Sequence, residues 1–362
     1  MKVLYANHVD HALFEMMRLL NSHGIKKDSR NGEVLELEDP VTTKYKCPKH
    51  RVLFSPERDA NPFFHLIEAL WMLAGRRDVE IPAYYVKGMR KYSDDGVTLH
   101  GAYGYRWREH FGFDQLTEVV RRLKKDPNDR QCVISMWDPT PVEEYHHLGA
   151  NDLLGDWADR PCNTHIYLRV NGHFNKYLDM TVCCRSNDSI FGAAGANSVH
   201  FSVLQEYLAA RIGVFVGQMY QVSNNLHAYT KVFYKLVEDN KYWDSGYSVP
   251  YNTGSVSDTE IVTDPVSFDE ELIDFFSLWP DVEGEEGSWR NPVFPEVVFP
   301  MVRAYNVFRS NEHSGAAKYE KMLEHIRSGR KGSDWLLAAE EWTIRRYTQL
   351  NDKQACDIGD EE

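Results

Sequence analysis

Val170-Asn171-Gly172-His173 constrains the fold of this chain more than any other stretch. Asn-Gly is the preferred two-residue hairpin turn, because both residues accept the positive φ that lets the turn follow the twist of paired strands. It lies between two segments of strand character, residues 164–170 and 179–185. These segments are therefore predicted to be antiparallel neighbours. Asp159-Arg160-Pro161-Cys162-Asn163 runs straight into the first, and the second ends in Arg185-Ser186-Asn187-Asp188. Pro161 fixes the backbone just before the thiol, and Arg160 is placed to favour a thiolate. A free cysteine is more often a small buried hydrophobe. Cys162 is thus either that or a nucleophile at a loop-to-strand junction.

Around the hairpin, strands and helices alternate. In residues 1–22, Val9, Leu13, Met16, Leu19 and Leu20 fall at helical spacing and predict an amphipathic helix. Asp28-Ser29-Arg30-Asn31-Gly32 is a turn before a short strand at 33–37, and Arg30 by itself is a solvated loop charge. Asn61 and Pro62 read as N-cap and first position of a helix over 62–74, which is apolar apart from His65 and Glu68 and stops at Gly75. A carboxylate in such a helix is costly unless it is ion-paired or handling protons, and both explanations of Glu68 stand. Residues 80–92 read as helix, 99–108 as a glycine-punctuated aromatic loop, 113–125 as a helix and 132–137 as a buried strand. Residues 138–157 are irregular, and 192–197 form a small-residue turn where backbone can approach a ligand. A long apolar helix at 198–212, a strand at 213–220 and a helix from Tyr229 to about residue 239 follow. The result is an α+β chain with one long buried central helix and a helical C-terminal addition.

Composition narrows the function. A formal charge of −13 over 362 residues argues against wrapping duplex nucleic acid. Any phosphate must be held by a few arginines converging locally. No apolar run approaches the roughly 20 residues needed to span a bilayer, so no membrane association is expected. The first 15 residues lack a signal-peptide pattern. Six cysteines, with Cys183 and Cys184 adjacent, make no disulfide framework and predict a reducing cytoplasm. Cys47-Pro48-Lys49-His50 has no second Cys/His pair at zinc spacing, so no metal is expected.

Taken in order, these segments resemble the thymidylate synthase family, which includes pyrimidine nucleotide hydroxymethylases of phages. The segments that carry the likeness are Asp28-Ser29-Arg30-Asn31-Gly32, Glu68-Ala69-Leu70-Trp71, Tyr103-Gly104-Tyr105-Arg106-Trp107-Arg108, Asp129-Arg130-Gln131, Pro161-Cys162, Arg185-Ser186-Asn187-Asp188 and His227-Ala228-Tyr229. The resemblance implies a thymidylate synthase-like mixed sheet, with a catalytic core over 1–245, a polar linker or insertion over 246–294 and helices over 295–362 packed on the core. It implies a pyrimidine deoxynucleotide as substrate and 5,10-methylenetetrahydrofolate as co-substrate. Cys162 would add to C6 of the base, and Glu68 would relay protons beside Tyr103. Arg185 would steady the thiolate and, with Arg30, Ser186 and Arg130 of a partner subunit, grip the phosphate in a homodimer. Gln131 stands where a second crossing arginine is usual. His227 and Tyr229 would bind the 3′-hydroxyl, Asp188 the pterin, and Arg58 the folate.

Three departures bear on how the reaction ends. Family synthases exclude water with a tryptophan, a leucine and an apolar C-terminal tail. Here Met89 and Asp159 fall at the first two positions, and the tail reads Cys356-Asp357-Ile358-Gly359-Asp360. All three favour adding water to an exocyclic methylene over hydride transfer to it. Asp159 is then a group that orients or deprotonates that water. With one inserted residue in 192–197, Asn197 lands on the base-reading position and favours uracil over cytosine. Asn163 stands where the family commonly has histidine. Two other classes remain: a binding relative without chemistry, disfavoured by Cys162, Glu68 and Tyr103, and a thiol hydrolase, disfavoured because His165 falls on the opposite strand face from Cys162.

Overall fold

The computed structural model describes residues 1–140, 151–237, 249–284 and 287–359, with side chains as far as residue 350. Parts of the segments predicted at 138–157, 229–239 and 246–294 lie outside the described residues, as do the acidic end and the side chains of the tail 356–360. Two compact units are present, one of Met1–Arg51 and Ile67–Tyr247, the other of Val52–Leu66 and Ser248–Glu362.

The first unit is built on two sheets. Strands β1 (Lys2–Ala6), β4 (Val41–Tyr45), β5 (Val133–Ser135), β6 (Asn163–Asn171), β7 (Tyr177–Cys184) and β9 (Phe215–Ser223) form a mixed sheet in the order β1-β4-β9-β7-β6-β5. Strands β2 (Ile25–Ser29), β3 (Gly32–Glu36), β8 (Asn187–Asp188) and β10 (Leu226–Tyr229) form a smaller one in the order β2-β3-β10-β8. The predicted antiparallel pairing of β6 and β7 is present, with Val170 opposite Leu178, but not through a two-residue Asn-Gly turn: Asn171 lies in β6 opposite Tyr177, and only Gly172, φ +96°, takes a positive φ at the start of the connection over 172–176. Asn163 pairs with Cys184, so the residues just outside the pair, Cys162 and Arg185, are brought together.

The unit's helices are α1 (Val9–His23), α2 (Pro62–Leu73), α3 (Glu80–Tyr85), α4 (Tyr103–Arg108), α5 (Gln115–Lys125), α6 (Asn197–Ile212) and α7 (Thr230–Val237). Helix α2 starts in the second unit and continues into the first. It begins as its sequence requires, with Asn61 Oδ1 accepting from Phe64 N at 3.1 Å, and ends at Gly75 with φ +70°. Helix α6 is the buried centre: every residue from Asn197 to Ala209 is buried, polar ones included. Those polar groups find partners on other elements. Gln205 Nε2 donates to the Leu178 and Gln218 carbonyls, and Glu206 is ion-paired to Arg51. The helix crosses between parallel strands β7 and β9 and stops at Gly213, φ +88°.

Several segments differ from the sequence reading. Residues 2–6 are an edge strand parallel to β4, not helix: Leu4 and Ala6 alternate inward while Val3 and Tyr5 point out. The segment 99–108 is not wholly loop, because Tyr103–Arg108 is a short helix. Its Gly104 is required by packing, since a Cβ there would sit 1.8 Å from the Met72 carbonyl oxygen of α2. Residues 80–92 divide at Val86 into α3 and a 3-10 turn, Lys87–Tyr92. The small-residue turn is a π-helix, Ser189–Ala196, with non-helical backbone at Ala194 and Gly195.

The second unit is helical. Within 246–294, Phe268–Leu278 is a helix that buries Phe268, Leu272 and Phe275 at helical spacing. Beyond 295 lie Phe299–Arg309, Gly315–Arg327 and Asp334–Gly359. Its core joins Phe63, Tyr305, Phe308 and Trp342, and Asp59 pairs with Arg345 and Arg346 at 3.0 and 2.8 Å. No helix among the described residues is long and apolar enough to cross a membrane.

Candidate active site

A cavity of ≈ 660 Å³ in the first unit collects residues from both sheets. The smaller sheet supplies Arg30 from the β2–β3 turn, Asp188 from β8, and His227 and Tyr229 from β10. The larger sheet supplies Cys162, at the start of β6, with Arg185 and Ser186, which follow β7. Asp159 and Arg160 come from the loop before the cysteine, and Tyr92, Trp137, Asp152 and Leu153 are also part of the lining. The volume lies in the range of small-molecule sites, roughly 300–1,000 Å³.

Arg185 clamps the cysteine loop. Its backbone N donates to the Cys162 carbonyl at 2.9 Å, its Nε to the Pro161 carbonyl at 3.0 Å and its Nη2 to the Arg160 carbonyl at 3.1 Å. The guanidinium also lies over the Trp137 ring, 5.3 Å from its centroid. Burial pushes the Cys162 thiol above its ordinary pKa; the Arg185 charge opposes this, Asp159 and Asp188 add to it, and a hydrogen bond with Tyr103 lowers it. Arg185, not Arg160, is therefore the cation acting on the thiol. The Arg160 guanidinium turns back to the Gly155 carbonyl and sits 3.8 Å from Asp156, within its own loop.

The loop over residues 151–160 is pinned by a buried network. Arg106 grips Asp152 with both terminal nitrogens at 2.7 and 2.9 Å, and His100 reaches the same carboxylate at 2.9 Å. Burial works against the Asp152 charge, but these bonds outweigh it and hold the carboxyl below its usual range. The Trp157 ring stacks on His100 at 4.1 Å. Asp159 ends this pinned segment and accepts from Gly101 N at 2.9 Å. Burial lifts its carboxyl above the ordinary aspartate range, while the Gly101 bond and the charges of His100 and Arg106 pull it part of the way back.

The remaining predicted site residues lie elsewhere. Tyr103 is not a lining residue but is near enough to Cys162 to lower its thiol pKa, and its ring stacks on Phe201 of α6 at 5.7 Å. Glu68 is buried in α2 with its Oε2 2.8 Å from His200 Nε2. Asn197, the first residue of α6, is buried and donates from Nδ2 to Asn187 Oδ1 at 3.0 Å. Asn187 in turn donates to Gln221 Oε1 and Ser223 Oγ at 3.2 and 3.0 Å. Asn163 is turned onto the sheet, donating to the His165 and Cys183 carbonyls. Met89 lies in the 3-10 turn, whose cavity residue is Tyr92. Arg130 is exposed and lines a separate hollow over β4, β9, β7 and β6 with Tyr167, Arg169 and Tyr220. Arg58 belongs to the second unit.

Part of the predicted set therefore shares one cavity: the Cys162 thiol, Arg185 clamped to its loop, the Asp159 carboxylate, and Arg30, Ser186, Asp188, His227 and Tyr229. The family model described as thymidylate synthase matches residues 11–241. The chain belongs to the thymidylate synthase family. It is 42% identical over 361 residues to the deoxyuridylate hydroxymethyltransferase of Pseudomonas phage M6, covering 98% of this chain and 97% of that protein. It is 37% identical over 211 residues to the deoxyuridylate hydroxymethyltransferase of Bacillus phage SP01, covering 55% of this chain and 52% of that one. The thymidylate synthase of Enterobacteria phage T4 is 31% identical over 127 residues, 35% of this chain and 39% of that one. The match to the phage M6 protein runs past the end of the family model, so the C-terminal helices fall within what those two chains share.

The sequence reading did not single out His200, Asn187, Tyr92 or Trp137. A signal existed for the first: a histidine inside a helix buried all round must find a partner on another element. Among the described residues, no group of three or more His, Cys, Asp or Glu side chains is placed to hold a metal ion.

Proposed function

We propose that this protein transfers a one-carbon unit to C5 of dUMP and finishes by adding water, giving 5-hydroxymethyl-dUMP. The observation that carries the reading is Asp159, a carboxylate lining the same cavity as the Cys162 thiol. The near full-length likeness to the phage M6 enzyme supports the same substrate.

C5 of uracil is a poor nucleophile until a thiolate adds to C6 and makes C5 an enamine carbon. Cys162 is that nucleophile, with Arg185 and the Tyr103 bond offsetting the burial that disfavours its charge. Arg30, Arg185 and Ser186 hold the phosphate, and His227 with Tyr229 holds the sugar hydroxyl. The flat faces of Trp137 and Tyr92 and the exposed edge of Leu153 fit a pterin ring, with Asp188 as its polar contact. Met89 opens the wall that a tryptophan closes in the synthases. 5,10-Methylenetetrahydrofolate supplies the carbon at the oxidation level of formaldehyde. Glu68 relays protons at the base, and Asn197 reads the uracil edge. The raised Asp159 carboxyl takes a proton from the water that attacks the exocyclic methylene, while cleavage of the Cys162–C6 bond restores the aromatic base. Arg130, absent from its own cavity, serves the phosphate of a partner subunit across the hollow it lines.

Incubation with dUMP or dCMP and 5,10-methylenetetrahydrofolate, with products resolved by mass, tests this. The expected result is 5-hydroxymethyl-dUMP with tetrahydrofolate released and slower turnover of dCMP. Thymidylate formed together with dihydrofolate would refute it.

A further inference from the structure

His200 and Glu68 make a pair that the mechanism above does not fully use. His200 is 3% exposed and Glu68 7%. Nε2 of the ring lies 2.8 Å from Oε2 of the carboxylate. Yet Oε2 and both ring nitrogens are enclosed without a hydrogen-bond partner, because the two groups are close but out of line. Buried polar atoms are paired as a rule. A purely structural ion pair would be saturated, as Gln205 is on the same helix by two backbone carbonyls. Three open atoms at one place instead describe a joint that completes itself when something else arrives.

We propose that His200 is a positioning residue for Glu68: Nε2–H donates to Oε2 during turnover and fixes which carboxylate oxygen faces the nucleotide. This rests on the reading of Glu68 as the proton relay. Helix α6 suits the task. Asn197 and His200 are three apart and share a face, and the adjacent Phe201 stacks on Tyr103, the residue bonded to Cys162. One rigid buried helix thus braces the base reader, the carboxylate and the phenol. The role belongs to a hydrogen-bond donor, not to the bulk of the ring.

The test compares His200→Phe and His200→Met, apolar replacements of similar size, with His200→Gln, which keeps a donor. The readout is release of tritium from [5-³H]dUMP in the presence of 5,10-methylenetetrahydrofolate, a step common to methyl and hydroxymethyl products. Calorimetric binding of dUMP reports that each variant is folded. The apolar variants should lose about 100-fold in kcat, the lower end of what a positioned acid–base group contributes, with KM for dUMP within about two-fold. His200→Gln should keep most of the wild-type rate, and Glu68→Gln with His200→Phe should be no slower than Glu68→Gln alone. Wild-type kcat in both apolar variants would overturn the assignment. So would His200→Gln failing as badly as they do, or losses that multiply in the double variant. The product formed by the wild-type enzyme is identified separately, so an error in the final step of the reaction does not read as an error about His200.

Discussion

Gly101→Ala moves Asp159 without altering any charge. A Cβ at Gly101 would lie 2.8 Å from Asp159 Oδ2 and 3.0 Å from Cγ and Oδ1. Ordinary carbon contacts begin near ~3.5 Å, so the carboxylate must retreat by about 0.7 Å. That stretches its 2.9 Å bond from Gly101 N beyond the usual hydrogen-bond range. A bond to a charged acceptor contributes about 1.5–3 kcal/mol, and the low end applies because Asp159 can turn to cavity water. Gly101 is not among the glycines with positive φ, so alanine fits the backbone and returns about 0.4–1 kcal/mol by restricting the unfolded chain. The net loss is about 1 kcal/mol, or roughly 1–2 °C in Tm for a chain of 362 residues. Activity should fall much further, since a 1 Å misplacement of a reacting group can remove about 100-fold in rate. Scanning calorimetry and the rate of 5-hydroxymethyl-dUMP formation give the two numbers. The double variant with Asp159→Ala should be no slower than Asp159→Ala alone. A Gly101→Ala enzyme with wild-type turnover would refute the assignment of Asp159 as the group that handles the water.

Alkylation of Cys162, followed by mass spectrometry of its peptide against pH, reads the charges around the thiol. Asp159→Asn should lower the midpoint, because that carboxylate raises the thiol pKa, and Arg185→Ala should raise it, because the guanidinium is the main group opposing burial; shifts of the opposite sign would contradict this electrostatic account. Gly104→Ala places a Cβ 1.8 Å from the Met72 carbonyl. Backbone cannot yield as a carboxylate can, so the cost should reach about 3 kcal/mol or more, seen as a large fall in the denaturant midpoint. In the homodimer proposed above, the Arg130→Ala and Cys162→Ala variants should each be nearly inactive, but mixing them after mild denaturation should restore up to about a quarter of wild-type activity in hybrids with one intact site; no recovery would refute that dimer and separate Arg130 from a partner's phosphate.

The parts of the fold that were legible are those set by local chemistry. Gly172 marks where strand β6 gives way to the connection to β7, and Asn61, Pro62 and Gly75 mark a helix through capping. Both act within a few residues of where they are written. The first strand was missed because Lys2–Ala6 earns its place only by pairing with β4, forty residues later. Helix Phe268–Leu278 was hidden by polar flanks, although its apolar residues keep helical spacing.

The site shows the same division between local and distant causes. Cys162 and Arg185 were readable together because the two strands were readable as antiparallel neighbours, and the β6–β7 register then brings the residues together. Asp159 was readable as a departure, but not the reason it stays in place. That reason is distributed over Gly101, His100, Arg106 and Asp152, which lie as far as 59 residues away in the chain and act through bonds to two carboxylates. His200 lies at the far end of this scale. A single histidine in a helix carries no local mark of function, and only its 2.8 Å approach to Glu68 gives it one. A nucleophile can thus be read where the backbone around it is special. The groups that aim it and its partners are distributed through the packing of α2, α4 and α6, where a glycine such as Gly101 or Gly104 does as much as a charge. Substitutions that alter space at those two positions, with every ionisable group intact, are therefore the sharpest probes of how this site holds its carboxylates.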